Sequence, residues 1–165
     1  MAFDGSVSSS VEQWAVDQLT TANQATQGGF TDIGLFDGTF DWQGSPDFTE
    51  LRTAQTPSAQ VGMWFMAQRR DTDRLSDWLA TLHVMLATEN PRGAESRVGQ
   101  TDRLGIHGLT ELVIETLDDQ TPNVANAGNT RFAESCLLDN VAGLSQLKGL
   151  WTADVLFTVR IVPTT

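Results

Sequence analysis

Two histidines and one cysteine are the side chains of this sequence best suited to nucleophilic or base chemistry. Cys136 and His107, together with a carboxylate, would supply the three parts of a Cys-His-Asp nucleophilic site. The alternative is a buried structural thiol and a polar helix residue, and we favour it because free cysteines are among the most buried residue types. A single cysteine also excludes an internal disulfide framework and a cysteine-based zinc finger. We therefore expect a protein that is not an enzyme.

Carboxylates are the second group that could carry chemistry. Four of them could offer oxygen ligands to Ca²⁺, but the alternating spacing of an EF-hand loop is absent, which favours solvated turn acids. These four are Asp32, Asp37, Asp41 and Asp47. The sequence has no phosphate-binding glycine motif, no nucleophile elbow and no zinc-protease motif. We therefore predict no cofactor and no bound metal.

Tryptophan and arginine side chains are the candidates for binding a partner. Four tryptophans lie on predicted apolar faces and are core candidates: Trp14, Trp64, Trp78 and Trp151. Trp42 remains as a surface anchor, for a partner or for stacking on a sugar ring. Arg69, Arg70 and Arg74 are interleaved with acids, so they form either half of an inter-subunit ion-pair network or a solvated mixed-charge loop. Nine of the ten bases are arginine, which favours the interface.

The charge of the chain is negative and unevenly distributed. Its 165 residues include 21 acids and ten bases, for a net charge of −11. Residues 1–51 contain eight acids and no base (net −8), whereas residues 52–165 contain thirteen acids and ten bases (net −3). This balance argues against a protein that binds nucleic acid by neutralising phosphates. No secretory signal is visible, and the longest apolar run, of about seven residues, is far shorter than the roughly twenty that span a membrane.

The first half of the chain is predicted to hold one helix and several strands. Apolar residues at helical spacing predict a helix over 9–25, started by a Ser9–Glu12 capping box and stopped by Gly28 and Gly29. The Asp37-Gly38 pair predicts a hairpin within 31–42. Apolar residues on both faces of 59–68 indicate a central strand, and alternation favours a strand over 77–88.

The second half is predicted to hold a helix and two strands. A helix starting near Thr101 or Asp102 carries Ile106, Leu109, Val113 and Leu117 on one face and ends at two acids, 118–119, that oppose its dipole. Strands are predicted over 132–138 and 151–161, with a turn region over 143–149. The order of elements predicts a single α+β domain over 1–165, with a mainly antiparallel sheet packed by two amphipathic helices and a flexible segment over 1–7.

The order of elements also resembles that of a known family. The matching features are the N-terminal helix, Pro57 before a strand, the Asn-Pro-Arg-Gly block at 90–93, the glycine-led helix 105–117 and the alternating C-terminal strand. This combination is similar to the tail-completion or tail-terminator proteins of contractile-tailed phages, including the Mu-like prophage group. The resemblance extends over about residues 8–162. It rests on patterns of elements and one loop block, since the sequence carries no catalytic motif.

The resemblance implies a structural virion protein at the junction of tail and neck, assembled in the host cytoplasm. Such subunits form a ring, expected as a hexamer, that caps the head-proximal end of the tail tube. The implied partners are further copies of the chain, the tail tube protein, the sheath protein and the neck or head-tail connector protein, with no membrane contact. Arg69, Arg70, Arg74, Arg92 and Trp42 are then candidate interface residues.

DNA would pass through such a ring without being bound. Carboxylates repel phosphate, so Asp32, Asp37, Asp41 and Asp47 are candidates for facing the lumen. Two alternatives remain open at this point: another neck or head-tail joining protein, and a small α+β ligand-binding module that uses Trp42.

Overall fold

Five strands form one sheet, and two long helices pack on one of its faces. The computed structural model describes residues 6–36, 56–65, 77–89, 94–147 and 150–164. The elements are α1 Val7–Gln24, β1 Asp32–Leu35, β2 Ser58–Phe65, β3 Trp78–Glu89, α2 Ala94–Val98, α3 Ile106–Leu117, β4 Arg131–Leu147 and β5 Leu150–Pro163. The sheet order is β1-β2-β3-β5-β4, and every pairing is antiparallel except β1 with β2. The predicted α+β class is confirmed.

The core lies between the helices and the alternating positions of β3 and β5. Leu82 pairs with Phe157 and Val84 with Val155, and all four side chains are fully buried. Alternation places these residues on the helix-covered face of the sheet, whereas the intervening residues lie on the opposite, helix-free face. The predicted strands 77–88 and 151–161 are therefore both confirmed: β3 is shifted by one residue toward the C-terminus, and β5 is longer by one residue at its start and two at its end.

Helix α1 begins earlier than predicted because Ser6 caps it. The Ser6 Oγ accepts a hydrogen bond from the backbone N–H of Ser9 at 3.2 Å, so the predicted Ser9–Glu12 capping box is wrong. Glu12 instead accepts a hydrogen bond at 3.1 Å from the backbone N–H of Met63 on β2. This contact follows the last residue pair between β2 and β1, Leu35 with Val61. Glu12 thus supplies the acceptor that a longer β1 would have supplied.

Burial makes the Glu12 carboxylate a source of pH-dependent stability. Desolvation raises its pKa, and the hydrogen bond from Met63 only partly opposes this. Because the folded state favours the protonated form, Glu12 lowers the stability as pH rises from the ordinary pKa of 4.5 through the raised value. We expect Glu12→Gln, which keeps an acceptor for Met63, to be more stable than the wild type at pH 7, with the difference shrinking toward pH 4.

Urea unfolding of both proteins at pH 4 and pH 7 measures this difference. Glu12→Ala removes the acceptor altogether and should cost about 1–3 kcal/mol, because the Met63 N–H is left without its partner. Asp17→Asn, on the exposed side of the same helix, is the matched control and should change the stability by no more than about 0.5 kcal/mol. A difference between Glu12→Gln and the wild type that is the same at both pH values would contradict the argument.

The C-terminus of helix α3 is connected to β4 by a hydrogen bond of its C-cap residue, Asp118. Its predicted apolar face is confirmed, since Ile106, Leu109, Val113 and Leu117 are all fully buried, although it starts at Ile106 with Gly105 as its N-cap. The Asp118 Oδ1 accepts a hydrogen bond at 2.8 Å from the backbone N–H of Leu138 on β4. The acid that opposes the helix dipole is therefore stabilised by a strand N–H.

Three other elements and one side chain differ from the sequence prediction. β1 pairs in parallel with β2, and the turn and second arm of the predicted hairpin, 37–42, lie outside the described residues. β4 continues to Leu147, so the predicted turn region over 143–149 is too long, and three register shifts interrupt its pairing with β5. α2 was not predicted. Trp64, a predicted core residue, is 39% exposed on the helix-free face.

Candidate functional site

The sequence-based candidates fall mostly outside the described residues. Asp32 is described, as the exposed first residue of β1 at one edge of the sheet. The remaining candidates are not described: Asp37, Asp41, Asp47, Trp42, Arg69, Arg70, Arg74 and Arg92. The structure therefore neither brings the predicted acids together nor separates them, and the predicted roles of these residues remain predictions.

The opposite edge of the sheet exposes apolar side chains along β4. Leu138 and Val141 pair with the core residues Phe157 and Val155, so they lie on the helix-covered face. Phe132 and Leu137 lie on the helix-free face. All four are more than a third exposed, and Leu137 is 52% exposed. We call these four residues the β4 apolar edge. Four exposed large apolar side chains on one edge strand are typical of a surface that binds another protein.

Part of the outer side of β4 is paired by the segment that follows α3. The Cys136 N–H donates to the Gln120 carbonyl at 2.8 Å, and its carbonyl accepts from the Asp119 N–H at 2.7 Å. The Ala133 N–H donates to the Val124 carbonyl at 3.0 Å. No described residue pairs with the outer side of β4 between Asp139 and Ala142. The unpaired N–H and C=O groups of an edge strand can pair with another chain.

A groove of about 530 Å³ lies beside this edge on the helix-free face. Leu79, Phe132 and Leu137 contribute apolar surface to it. Arg160 lies at its charged end, where the Arg160 Nε donates to Asp77 Oδ2 at 2.9 Å and the Glu134 Oε2 lies 3.7 Å from Nη1. One guanidinium between two carboxylates gives the described residues at this end a net charge of −1. Asp77, interleaved with the predicted arginine cluster, is thus paired within its own chain.

A histidine and a carboxylate meet elsewhere on the helix-free face. The His83 Nδ1 lies 2.9 Å from Asp154 Oδ2, and the ring of Trp64 stands edge-on to the imidazole with centroids 4.8 Å apart. Asp154 Oδ1 and Gln60 Oε1 are buried without a hydrogen-bond partner in the described part of the chain. Sequence reasoning missed this pair because 71 residues separate its members. The sequence does show that His83 and Asp154 are each a polar residue in a strand whose alternate residues are apolar, and this pattern could have marked both side chains as lying on the same face of the sheet.

The surroundings of Cys136 disfavour nucleophilic chemistry. Its thiol is fully buried on the helix-covered face, and burial raises its pKa to about 12, so the thiolate is disfavoured at neutral pH. His107 lies on the exposed side of α3. The geometry therefore fits the structural thiol of the two alternatives, and it gives the Cys-His-Asp alternative no support.

The described residues contain neither a metal-ligating cluster nor a membrane-spanning helix. Among these residues, no group of three or more His, Cys, Asp or Glu side chains could hold a metal ion. None of the described helices is both long and apolar enough to cross a bilayer. In the comparisons with known proteins, no protein-family model matches this sequence and no curated protein matches it significantly.

Proposed function

We propose that this chain is a structural subunit of a phage tail, a tail terminator that assembles into a ring and caps the head-proximal end of the tail tube. The observation that carries the proposal is the β4 apolar edge beside a stretch of strand with which no described residue pairs on its outer side. A chain that works by assembly must keep such a surface free for its neighbours, whereas a monomeric protein is expected to cover or charge a long edge strand.

The partners of such a ring are further copies of the chain, the tube protein, the sheath protein and the neck protein. The resemblance in the order of elements supports this choice of assembly. The α+β fold, with two helices on one face of the sheet, supports it at the level of architecture. A hexamer is the ring size that the resemblance favours.

The charge of the helix layer supports the passage of DNA without binding. The exposed charges of α1 and α3 are all negative: Asp17, Glu111 and Glu115 are exposed acids, and neither helix contains a lysine or arginine. Asp32 adds an exposed carboxylate at the first residue of β1. Surfaces of one negative sign repel phosphate, which suits a protein that DNA must slide past.

Electron microscopy of polymerising tail tubes tests the proposal. The purified chain is added to tube protein during assembly, and tube length and end structure are measured. We expect blunt ends that carry a ring, together with a tube length that stops increasing once the chain is present. An unchanged length distribution with bare ends at every ratio of chain to tube protein would rule out the terminator role.

A matched pair of variants connects capping to the β4 apolar edge. Val141→Asp places a charge on the edge and should reduce the fraction of capped tubes at least tenfold. Gln18→Glu adds the same charge on the exposed side of α1 and should cap like the wild type. Both variants should retain cooperative unfolding, because Val141 is 38% exposed and Gln18 is exposed on α1. Equal capping by the two variants would separate the function from this edge.

A further inference from the structure

A second exposed apolar feature lies at the end of α2. Val98 is 61% exposed, the largest value among the exposed large apolar residues of the described chain. Arg97 and Arg103, both exposed, flank it, and neither has an ion-pair partner among the described residues. The Glu95 carboxylate is held by the Gln100 side chain at 2.7 Å. We call Arg97, Val98 and Arg103 the α2 corner; it combines one exposed apolar side chain with two exposed arginines that have no ion-pair partner among the described residues.

The groove beside β4 has the complementary properties. It offers apolar surface from Leu79, Phe132 and Leu137 and a charged end with net charge −1. Of the two carboxylates there, Asp77 is bound by two nitrogens of Arg160, whereas Glu134 lies 3.7 Å from the nearest one. Glu134 is 44% exposed and can therefore accept a second cation.

The two features lie at opposite edges of the molecule. The loop after α2 is hydrogen-bonded to the end of α1, through the Leu104 N–H and the Gly28 carbonyl at 2.9 Å, and the chain continues from there into the edge strand β1. The groove lies beside β4, the other edge strand. One molecule therefore cannot place its α2 corner in its own groove, but a second copy can.

We infer that the α2 corner of one copy docks in the β4 groove of the next, with Val98 against Leu137 and Phe132 and with Arg97 facing Glu134. This contact is heterologous, because each copy contributes its α2 corner to one neighbour and its β4 groove to another. Repetition of a heterologous contact closes into a ring when the rotation permits. The inference rests on the proposed function, since it supplies the contact by which the ring is built.

Paired cysteines test the contact directly. Val98→Cys and Leu137→Cys are introduced together in the full chain, which is oxidised at its highest soluble concentration and analysed by denaturing electrophoresis. We expect a ladder of covalent oligomers that ends at the ring size. An equal mixture of the two single variants should stop at the dimer, because each copy then carries one reactive position. The native Cys136 should not contribute, since it is buried with a pKa of about 12.

The pairing of positions distinguishes this contact from others. Replacing Val98→Cys by Glu111→Cys, an exposed position on α3, should leave the chain monomeric. Dimers formed by either single variant alone would indicate an isologous interface and would overturn the inference. So would a double variant that forms no ladder. A ladder from a protein that fails to cap tubes would instead retain the contact and reject the terminator role.

A charge exchange tests the polar half of the contact. In the double-cysteine background, Arg97→Glu should reduce the ladder at least tenfold, because it places two carboxylates together. Adding Glu134→Arg should restore most of the yield, since the pair is then reversed. Arg97→Glu without effect, or without rescue by Glu134→Arg, would contradict the pairing of Arg97 with Glu134.

Discussion

Phe157→Ala is expected to lower the free energy of unfolding by about 3–5 kcal/mol. Phe157 is fully buried at the centre of β5 and pairs with Leu82 on one side and Leu138 on the other. Truncation removes the apolar area of the ring and leaves a cavity, because the neighbouring strands are held in register and can collapse only partly. Single domains are stable by about 5–15 kcal/mol, so this one change should remove a large part of the total.

Phe132→Ala is the matched control, since it makes the same truncation on the neighbouring edge strand β4, where the ring is partly exposed. Because Phe132 is 38% exposed, its truncation should lower the free energy of unfolding by about 1 kcal/mol or less. Equilibrium unfolding in urea measures both variants, with an unchanged m-value indicating that the native and denatured states are otherwise comparable. If the two variants lost similar amounts of stability, the assignment of the core to the helix-covered face would be wrong.

Local patterns predicted the elements that have one buried face. β5 alternates strictly, with Ala153, Val155, Phe157, Val159 and Ile161 all buried, because the helices cover one side of it for almost its whole length. α3 repeats its apolar residues every three or four positions for the same reason. Where one face of an element is buried along its length, the spacing of its apolar residues matches the residue repeat of a strand or a helix.

The rest depends on contacts between distant residues. In β4 the three register shifts break the alternation, so Gly143 and its neighbours look like a turn although they lie in a strand. Trp64 is predicted as a core residue because apolar residues occupy both faces of its segment. In the structure, only the face with Ala59 and Val61 contacts the helices. The parallel pairing of β1 has no local signal at all.

The candidate surfaces were missed for a related reason. The α2 corner lies in a mostly polar stretch, where a single valine between Arg97 and Gly99 forms no hydrophobic pattern. The groove is assembled from β3, β4, β5 and the segment after α3, so its residues become neighbours only after folding. Sequence reasoning instead selected clusters that are close along the chain, such as Arg69, Arg70 and Arg74, and these lie outside the described residues.

Gly28→Ala is expected to destabilise the protein and to displace the α2 corner. Gly28 has a φ of +71°, which costs a residue with a Cβ about 1–2 kcal/mol. A Cβ there would also lie 2.4 Å from both the Arg103 Cα and the Asp102 carbonyl oxygen. Because both contacts are with backbone atoms, a side-chain rotation cannot relieve them, and overpacking of this kind costs a further ~1–3 kcal/mol.

The loop that must move belongs to the α2 corner, so the effect should reach assembly as well as stability. In the Val98→Cys, Leu137→Cys background, we expect Gly28→Ala to reduce the ladder severalfold under conditions in which the chain is still folded by circular dichroism. Gly34→Ala is the matched control: a Cβ at Gly34 has no atom within 4 Å, so a neutral or slightly stabilising effect is expected. A Gly28→Ala protein as stable as Gly34→Ala would show that the loop yields without cost. Full cross-linking despite a large loss of stability would show that the position of Val98 does not depend on Gly28. Gly28 would then have no role in the interface.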